Sequence, residues 1–92
     1  MQVRAHVLIE GEVQGVFFRA NIQELALECG VKGWIRNLEN DKVEAVFEGE
    51  KEKVDSMIDF CKRGPPGTRV ISFEIKWEEF KNEFKDFQIK YR

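Results

Sequence analysis

The chain has 92 residues, of which 42% are hydrophobic and 12% aromatic. This is enough apolar material for one globular domain and too short a chain for two. Fifteen cationic residues alternate with seventeen anionic ones, for a net charge of −2. Without a broad basic surface, a nucleic-acid partner is not expected. No leader and no apolar run of roughly 20 residues is present, so we expect no membrane contact and a cytoplasmic location.

The first half of the sequence predicts a strand, a helix and a two-stranded hairpin. Residues 3–11 alternate as a strand with one apolar face, which carries Val3, Ala5, Val7 and Ile9. A helical stripe follows at Ile22, Leu25, Ala26 and Cys29. Residues 31–38 and 43–47 then read as strands. Asn40 and Asp41 tolerate the left-handed conformation of the hairpin turn between them.

The second half repeats this order. Its helical stripe consists of Val54, Met57, Ile58 and Cys61. Residues 69–77 follow as an alternating strand that carries Ile71, Phe73, Ile75 and Trp77 on one side. A short closing strand carries Phe87, Ile89 and Tyr91.

The order β-α-β-β-α-β plus a short terminal strand predicts an α+β fold. The arrangement is a ferredoxin-like split β-α-β sandwich, with two helices on one face of the sheet. Cys29 and Cys61 should lie at opposite ends of the helical layer, so we expect two free thiols packed in the core. With one histidine and two distant cysteines, a metal site is not expected.

The loop after the first strand is the strongest candidate for chemistry. It runs Gly-Glu-Val-Gln-Gly-Val-Phe-Phe-Arg over residues 11–19, directly before a helix. A glycine there lets successive N–H groups point inward around an anion, and the helix N-terminus adds further donors. The Arg19 guanidinium suits two phosphate oxygens at once. Many strand-glycine-helix turns bind nothing, so the spacing by itself leaves a purely structural turn open.

Asn37, near the end of the second strand, is the candidate partner of this loop. In a β-α-β crossover the two strands are parallel, so their C-terminal ends meet at one edge of the sheet. A carboxamide at that edge can hold a water molecule. The alternative is an Asn that only caps the hairpin turn.

Two separated signatures in the chain resemble those of the acylphosphatase family. The first is similar to Gly-x-Val-Gln-Gly-Val-x-Phe-Arg and is matched at Gly11, Val13, Gln14, Gly15, Val16, Phe18 and Arg19. The second is matched at Gly33, Trp34, Asn37, Val43 and Gly49. Gly64-Pro65-Pro66-Gly67 also resembles a segment of the family. Asp41 departs from the usual hairpin glycine and Ile35 from a smaller branched residue.

The resemblance implies one acylphosphatase-like domain over residues 1–92 that hydrolyses small acyl phosphates without a cofactor or metal. It implies that Arg19 and Asn37 are catalytic, with inorganic phosphate as product and inhibitor of a monomeric enzyme. The phosphate would be bound at Gly15, Val16, Phe17, Phe18 and Arg19. Asn37 would position the attacking water. Phe17 varies within the motif and is a candidate neighbour of the acyl group.

Two other function classes compete with hydrolysis. A regulatory module would keep the phosphate cradle and bind an acyl phosphate or carbamoyl phosphate without turnover. An RNA-binding module is disfavoured by the negative charge and by the lack of paired aromatics on central strands. We interpret His6 as a sheet-face residue. We expect the acidic run Glu48, Glu50, Glu52 and Asp55 to form a solvated loop and first helical turn.

Overall fold

The computed structural model describes residues 1–13 and 16–91, without the side chain of Val16. Its elements are β1 (Gln2–Glu12), α1 (Val16–Cys29), β2 (Lys32–Leu38), β3 (Lys42–Glu50), α2 (Lys51–Arg63), β4 (Arg69–Glu78) and β5 (Phe87–Lys90). The five strands form one sheet in the order β4-β1-β3-β2-β5. The predicted split β-α-β fold with a short terminal strand is confirmed.

The sheet brings the ends of three strands to one edge. β1 and β2 each run antiparallel to β3, which lies between them, so β1 and β2 are parallel to each other. β5 is parallel to β2 on its other side. The C-terminal ends of all three therefore lie at the edge where α1 begins, which is the place predicted for the phosphate loop and Asn37.

The core lies between the sheet and the two helices, and it uses the predicted stripes. Its fully buried members include Ala5, Val7, Ile9, Ile22, Ala26, Val54, Met57 and Cys61, with Leu25 and Cys29 packed at its margin. Both cysteines are free, as predicted. Burial raises the pKa of the Cys61 thiol, so this group packs as a small apolar side chain.

Helix α1 begins earlier than the predicted stripe. It starts at Val16 and places Phe18, 1% exposed, one turn before Ile22 on the buried face. The first helical turn thus lies inside the motif that the sequence reading treated as a loop. Arg19 is consequently part of the first turn of α1.

Strand β4 differs from the predicted alternation at its N-terminal end. Its register against β1 shifts between Glu10 and Gly11, where a β-carbon on Gly11 would lie 2.1 Å from the carbonyl oxygen of Arg69. This bulge moves Val70 onto the core and leaves Ile71 69% exposed. Trp77 is 48% exposed but pairs with the buried Ala5, so it stays on the predicted side of the strand. The predicted alternation was therefore wrong at Ile71 alone.

The hairpin turn between β2 and β3 takes the conformation that its residues suggest. Asn40 and Asp41 have φ angles of 61° and 57°, in the left-handed region. Aspartate tolerates this region better than most residues, so Asp41 replaces the usual glycine without losing the turn. The amide of Gly11 donates to the carbonyl oxygen of Asp41 over 3.2 Å. The turn is thereby tied to the end of β1.

The face of the sheet opposite the helices carries a buried ionic cluster centred on Arg4. This guanidinium donates to Glu78 over 2.9 Å, to Glu48 over 3.2 Å and to Glu83 over 2.6 Å. Arg4 is 8% exposed and Glu48 only 2%. The prediction of a solvated Glu48 was wrong because β3 continues to Glu50 and its register places Glu48 opposite Arg4.

The cluster extends from β1 through His6 to Glu44 on β3 and Arg36 on β2. His6 Nε2 lies 2.6 Å from Glu44 and Nδ1 lies 3.4 Å from Glu78. Arg36 donates to Glu44 through Nε, over 2.7 Å. These contacts agree with the interpretation of His6 as a sheet-face residue.

This cluster predicts a loss of stability in acid. The pKa of Glu78 is lowered, first because Arg4 donates to it. Burial by itself raises the pKa of Glu44, but hydrogen bonds from His6 and Arg36 outweigh it and lower the net value. A carboxyl group whose pKa is lower in the folded state stabilises the fold at pH values above its unfolded-state pKa of about 4.3. This contribution is lost as the pH falls through the folded-state pKa.

The check is the free energy of unfolding in urea at pH 7 and at pH 3, for the wild type and for Glu78→Gln. We expect the free energy of unfolding to fall more on acidification for the wild type than for the variant, because the glutamine has no proton to take up. Equal losses in the two proteins would contradict a contribution from Glu78.

Candidate active site

The candidate site lies at the edge of the sheet where α1 begins and β2 and β5 end. Arg36 is paired with Lys90 in the parallel register of β2 and β5. The next residues along the two strands are Asn37 and Tyr91. Both line a surface groove whose other walls are Arg36, Leu38, Glu39 and Lys42.

Arg19 lies in the first turn of α1 and is 8% exposed. Its Nε is buried and has no hydrogen-bond partner within residues 1–13 and 16–91. A buried donor without an acceptor costs about 1–3 kcal/mol, more when it is charged. The structure therefore offers a charged donor that an anion could satisfy.

Asn37 shows the complementary feature. Its Oδ1 is buried and accepts no hydrogen bond from the described part of the chain. If Asn37 capped the hairpin through this oxygen, the oxygen would accept a hydrogen bond from the turn. The geometry therefore disfavours the alternative that Asn37 is only a hairpin cap. A water hydrogen would satisfy this oxygen.

The backbone at the start of α1 adds donors of a different kind. Residues 16–19 form its first turn, and the N–H groups of residues 16–18 have no acceptor within the helix. This turn contains no acidic side chain that would offset the positive end of the helix dipole. Gln14 and the predicted phosphate-binding residue Gly15 lie outside the described residues, so the structure does not describe the whole predicted cradle.

The predicted phosphate-binding residues have very different side-chain environments. Phe18 is buried in the core, so only its backbone can face a ligand at this edge. Phe17 is 84% exposed. An acyl group could contact Phe17 without any rearrangement of the core, and that role remains a prediction.

Tyr91 belongs to this site, and the sequence reading gave it no such role. The Cζ atom of Arg19 lies over the Tyr91 ring, 5.3 Å from its centroid. Tyr91 thus contacts Arg19 and lines the same groove as Asn37. No spacing rule marks a residue so near the chain end, and only the β2–β5 register reveals it.

Comparison with known proteins agrees with this geometry. The family model described as acylphosphatase matches residues 5–89. The chain belongs to the acylphosphatase family. An acylphosphatase of Pyrobaculum aerophilum is 54% identical over 87 residues, which cover 94% of this chain and 92% of the relative.

Solved acylphosphatase structures have the same fold. The crystal structure of the Bacillus subtilis acylphosphatase has a TM-score of 0.90 at 27% identity, covering 99% of this chain and all of the other. The Coxiella burnetii acylphosphatase has a TM-score of 0.89 at 30% identity, covering 97% and 93%. The predicted family is confirmed, and with it a hydrolase acting on a small acyl phosphate.

Another concavity lies on the open face of the acylphosphatase sheet, away from this edge. It is lined by His6, Glu44, Glu74 and Lys76 together with Val7, Leu8 and Ile75. Its central carboxylate, Glu44, is already bonded to His6 and Arg36. We therefore take the sheet edge, with its two unpartnered polar atoms, as the better candidate for an anionic substrate.

Two further findings concern the described ranges only. They contain no group of three or more His, Cys, Asp or Glu side chains arranged to hold a metal ion. Neither helix there combines the length and apolarity that crossing a bilayer requires.

Proposed function

We propose that this acylphosphatase cleaves the carboxyl-phosphate bond without a metal ion, using Arg19, the first-turn amides of α1 and Asn37. The observation that carries the proposal is a pair of buried polar atoms without partners in the described residues, the Arg19 donor and the Asn37 acceptor. Tyr91 contacts Arg19 and lines the same groove as Asn37. A phosphoryl group and a water molecule placed between them would satisfy both atoms.

The substrate itself makes a simple site sufficient. The leaving group is a carboxylate, the conjugate base of an acid with a pKa near ~4, so it departs without being protonated. No general acid is required. The site has only to hold the phosphoryl group, stabilise its charge and place a water in line with the breaking bond.

The Arg19 side chain and the amides of residues 16–18 perform the first two tasks in this proposal. The guanidinium matches two phosphoryl oxygens, and fixed N–H donors stabilise charge without reorganising. Arg19 is largely excluded from solvent, which strengthens its interaction with an anion.

Asn37 performs the third task. Its Oδ1 accepts one hydrogen of the water, which aims the oxygen lone pair at phosphorus. As the water oxygen bonds to phosphorus, the bond from phosphorus to the carboxyl oxygen breaks. An amide is too weak a base to take the proton, so a phosphoryl oxygen takes it, and the products are the carboxylate and inorganic phosphate.

The proposal extends to a monomeric enzyme in the cytoplasm. The groups that it requires all come from one chain, so catalysis needs no second copy. The partners are the acyl phosphate and inorganic phosphate, with no nucleic acid or membrane involved.

Hydrolysis of benzoyl phosphate in excess EDTA tests the function. We expect release of benzoate and phosphate well above the spontaneous rate, with the Arg19→Ala/Asn37→Ala double variant as the inactive control. Activity that EDTA abolishes and a divalent cation restores would contradict metal independence. Phosphate binding without turnover would instead favour the regulatory module.

A further inference from the structure

Tyr91 is 80% exposed, yet its ring contacts a charged side chain. Its ring lies beneath the guanidinium of Arg19, which is itself 8% exposed. An aromatic face attracts a cation through the negative charge of its π system. The contact therefore joins an exposed aromatic ring to a buried charged group at the candidate site.

Two other guanidinium groups in the fold, those of Arg4 and Arg36, have different hydrogen-bond partners from Arg19. Arg4 and Arg36 also lie over aromatic rings, 5.2 Å from Phe84 and 5.3 Å from Trp34. Unlike Arg19, however, they donate to carboxylates within the described ranges: Arg4 to three of them, and Arg36 to Glu44 through Nε and Nη2. Donors used in this way are not available to a ligand. A neighbouring carboxylate also offsets the positive charge that would attract an anion.

A ring contact restrains a guanidinium differently from a carboxylate. The N–H donors of Arg19 lie in the plane of the group, whereas an aromatic face attracts the cation as a whole and accepts no salt-bridge donor. Among the described residues, Arg19 Nε has no partner, in agreement with this difference. The ring contact thus restrains the group without occupying that donor.

We propose that Tyr91 is a positioning residue, which holds the Arg19 guanidinium ready for the phosphoryl group without using its Nε donor. The inference rests on the proposed function, because it assigns Arg19 to phosphate binding. Without the ring, Arg19 samples more rotamers and the binding-competent fraction falls. The apparent dissociation constant for phosphate rises in proportion.

The first experiment compares Tyr91→Leu with Tyr91→Phe. Titration calorimetry with inorganic phosphate should show about 3- to 10-fold weaker binding for Tyr91→Leu, the range expected for losing one cation–π contact. KM for benzoyl phosphate should rise by a similar factor, with a smaller change in kcat. Tyr91→Phe keeps the ring and should retain wild-type affinity.

A spectroscopic measurement separates positioning from a general structural role. The Nε–H resonance of Arg19 should carry a ring-current shift in the wild type and in Tyr91→Phe, and lose it in Tyr91→Leu. Thermal unfolding of the three proteins checks that folding is retained. Because Tyr91 is mostly exposed, we expect all three to fold.

The outcomes distinguish this inference from the proposed function. Unchanged phosphate affinity and KM in Tyr91→Leu, with a wild type that hydrolyses benzoyl phosphate, would overturn the role of Tyr91 alone. Equal weakening in Tyr91→Phe and Tyr91→Leu would also overturn it, by pointing to the hydroxyl group. A wild type that binds phosphate without hydrolysis, and loses affinity in Tyr91→Leu, would support the role of Tyr91 and contradict the proposed function.

Discussion

Replacing Asn37 by alanine is expected to lower kcat for benzoyl phosphate by about 10²-fold or more, with little change in inhibition by inorganic phosphate. The buried Oδ1 of Asn37 has no partner within residues 1–13 and 16–91, and in the proposed mechanism it holds the nucleophile and not the anion. Without the carboxamide, the attacking water is no longer oriented toward phosphorus. The phosphate contacts remain.

Arg19→Ala should behave differently, because it removes the charged donor to the phosphoryl group. We expect it to lose tight phosphate binding together with turnover. Steady-state kinetics with phosphate as a competitive inhibitor measures both quantities for each variant. The matched control is Gln88→Ala, which removes an exposed amide from β5 outside the site. If Asn37→Ala weakened phosphate inhibition as strongly as turnover, the two residues would not have separate tasks.

Most of this fold follows from local patterns that the sequence displays. The alternation at Ala5, Val7 and Ile9 and the stripe ending at Cys61 each correspond to a buried face in the structure. These patterns are reliable here because a single-residue slip would expose the whole apolar set. The same logic predicted that β1 and β2 end at one edge, and with it the shared location of Arg19 and Asn37.

The differences arise where the outcome depends on pairing between distant segments. The bulge opposite Gly11 moves Ile71 outward, and no pattern within residues 69–77 contains that information. Glu48 reads as a surface residue until the β1–β3 register pairs it with Arg4. Tyr91 reaches Arg19 only because β5 is parallel to β2. In each case the partner lies far away in the sequence.

The pairing of Arg4 with Glu48 gives the largest expected effect on stability. Arg4→Met keeps much of the side-chain volume but leaves Glu48, 2% exposed, without its guanidinium partner. Removing one member of a buried ion pair typically costs about 3–5 kcal/mol, because the remaining charge stays desolvated. The Lys81 amide still donates to Glu48 over 2.8 Å, so some compensation remains.

Urea unfolding at pH 7 of the wild type, Arg4→Met and Arg4→Met/Glu48→Gln measures this cost. The double variant should recover part of the lost free energy, because its buried amide carries no charge. A loss below about 1 kcal/mol in Arg4→Met would place the pair among ordinary surface salt bridges. Since the cluster lies on the face opposite the helices, we expect kcat and KM of the folded Arg4→Met enzyme to remain close to the wild-type values. A large change in either would mean that the sheet transmits the state of this cluster to its catalytic edge.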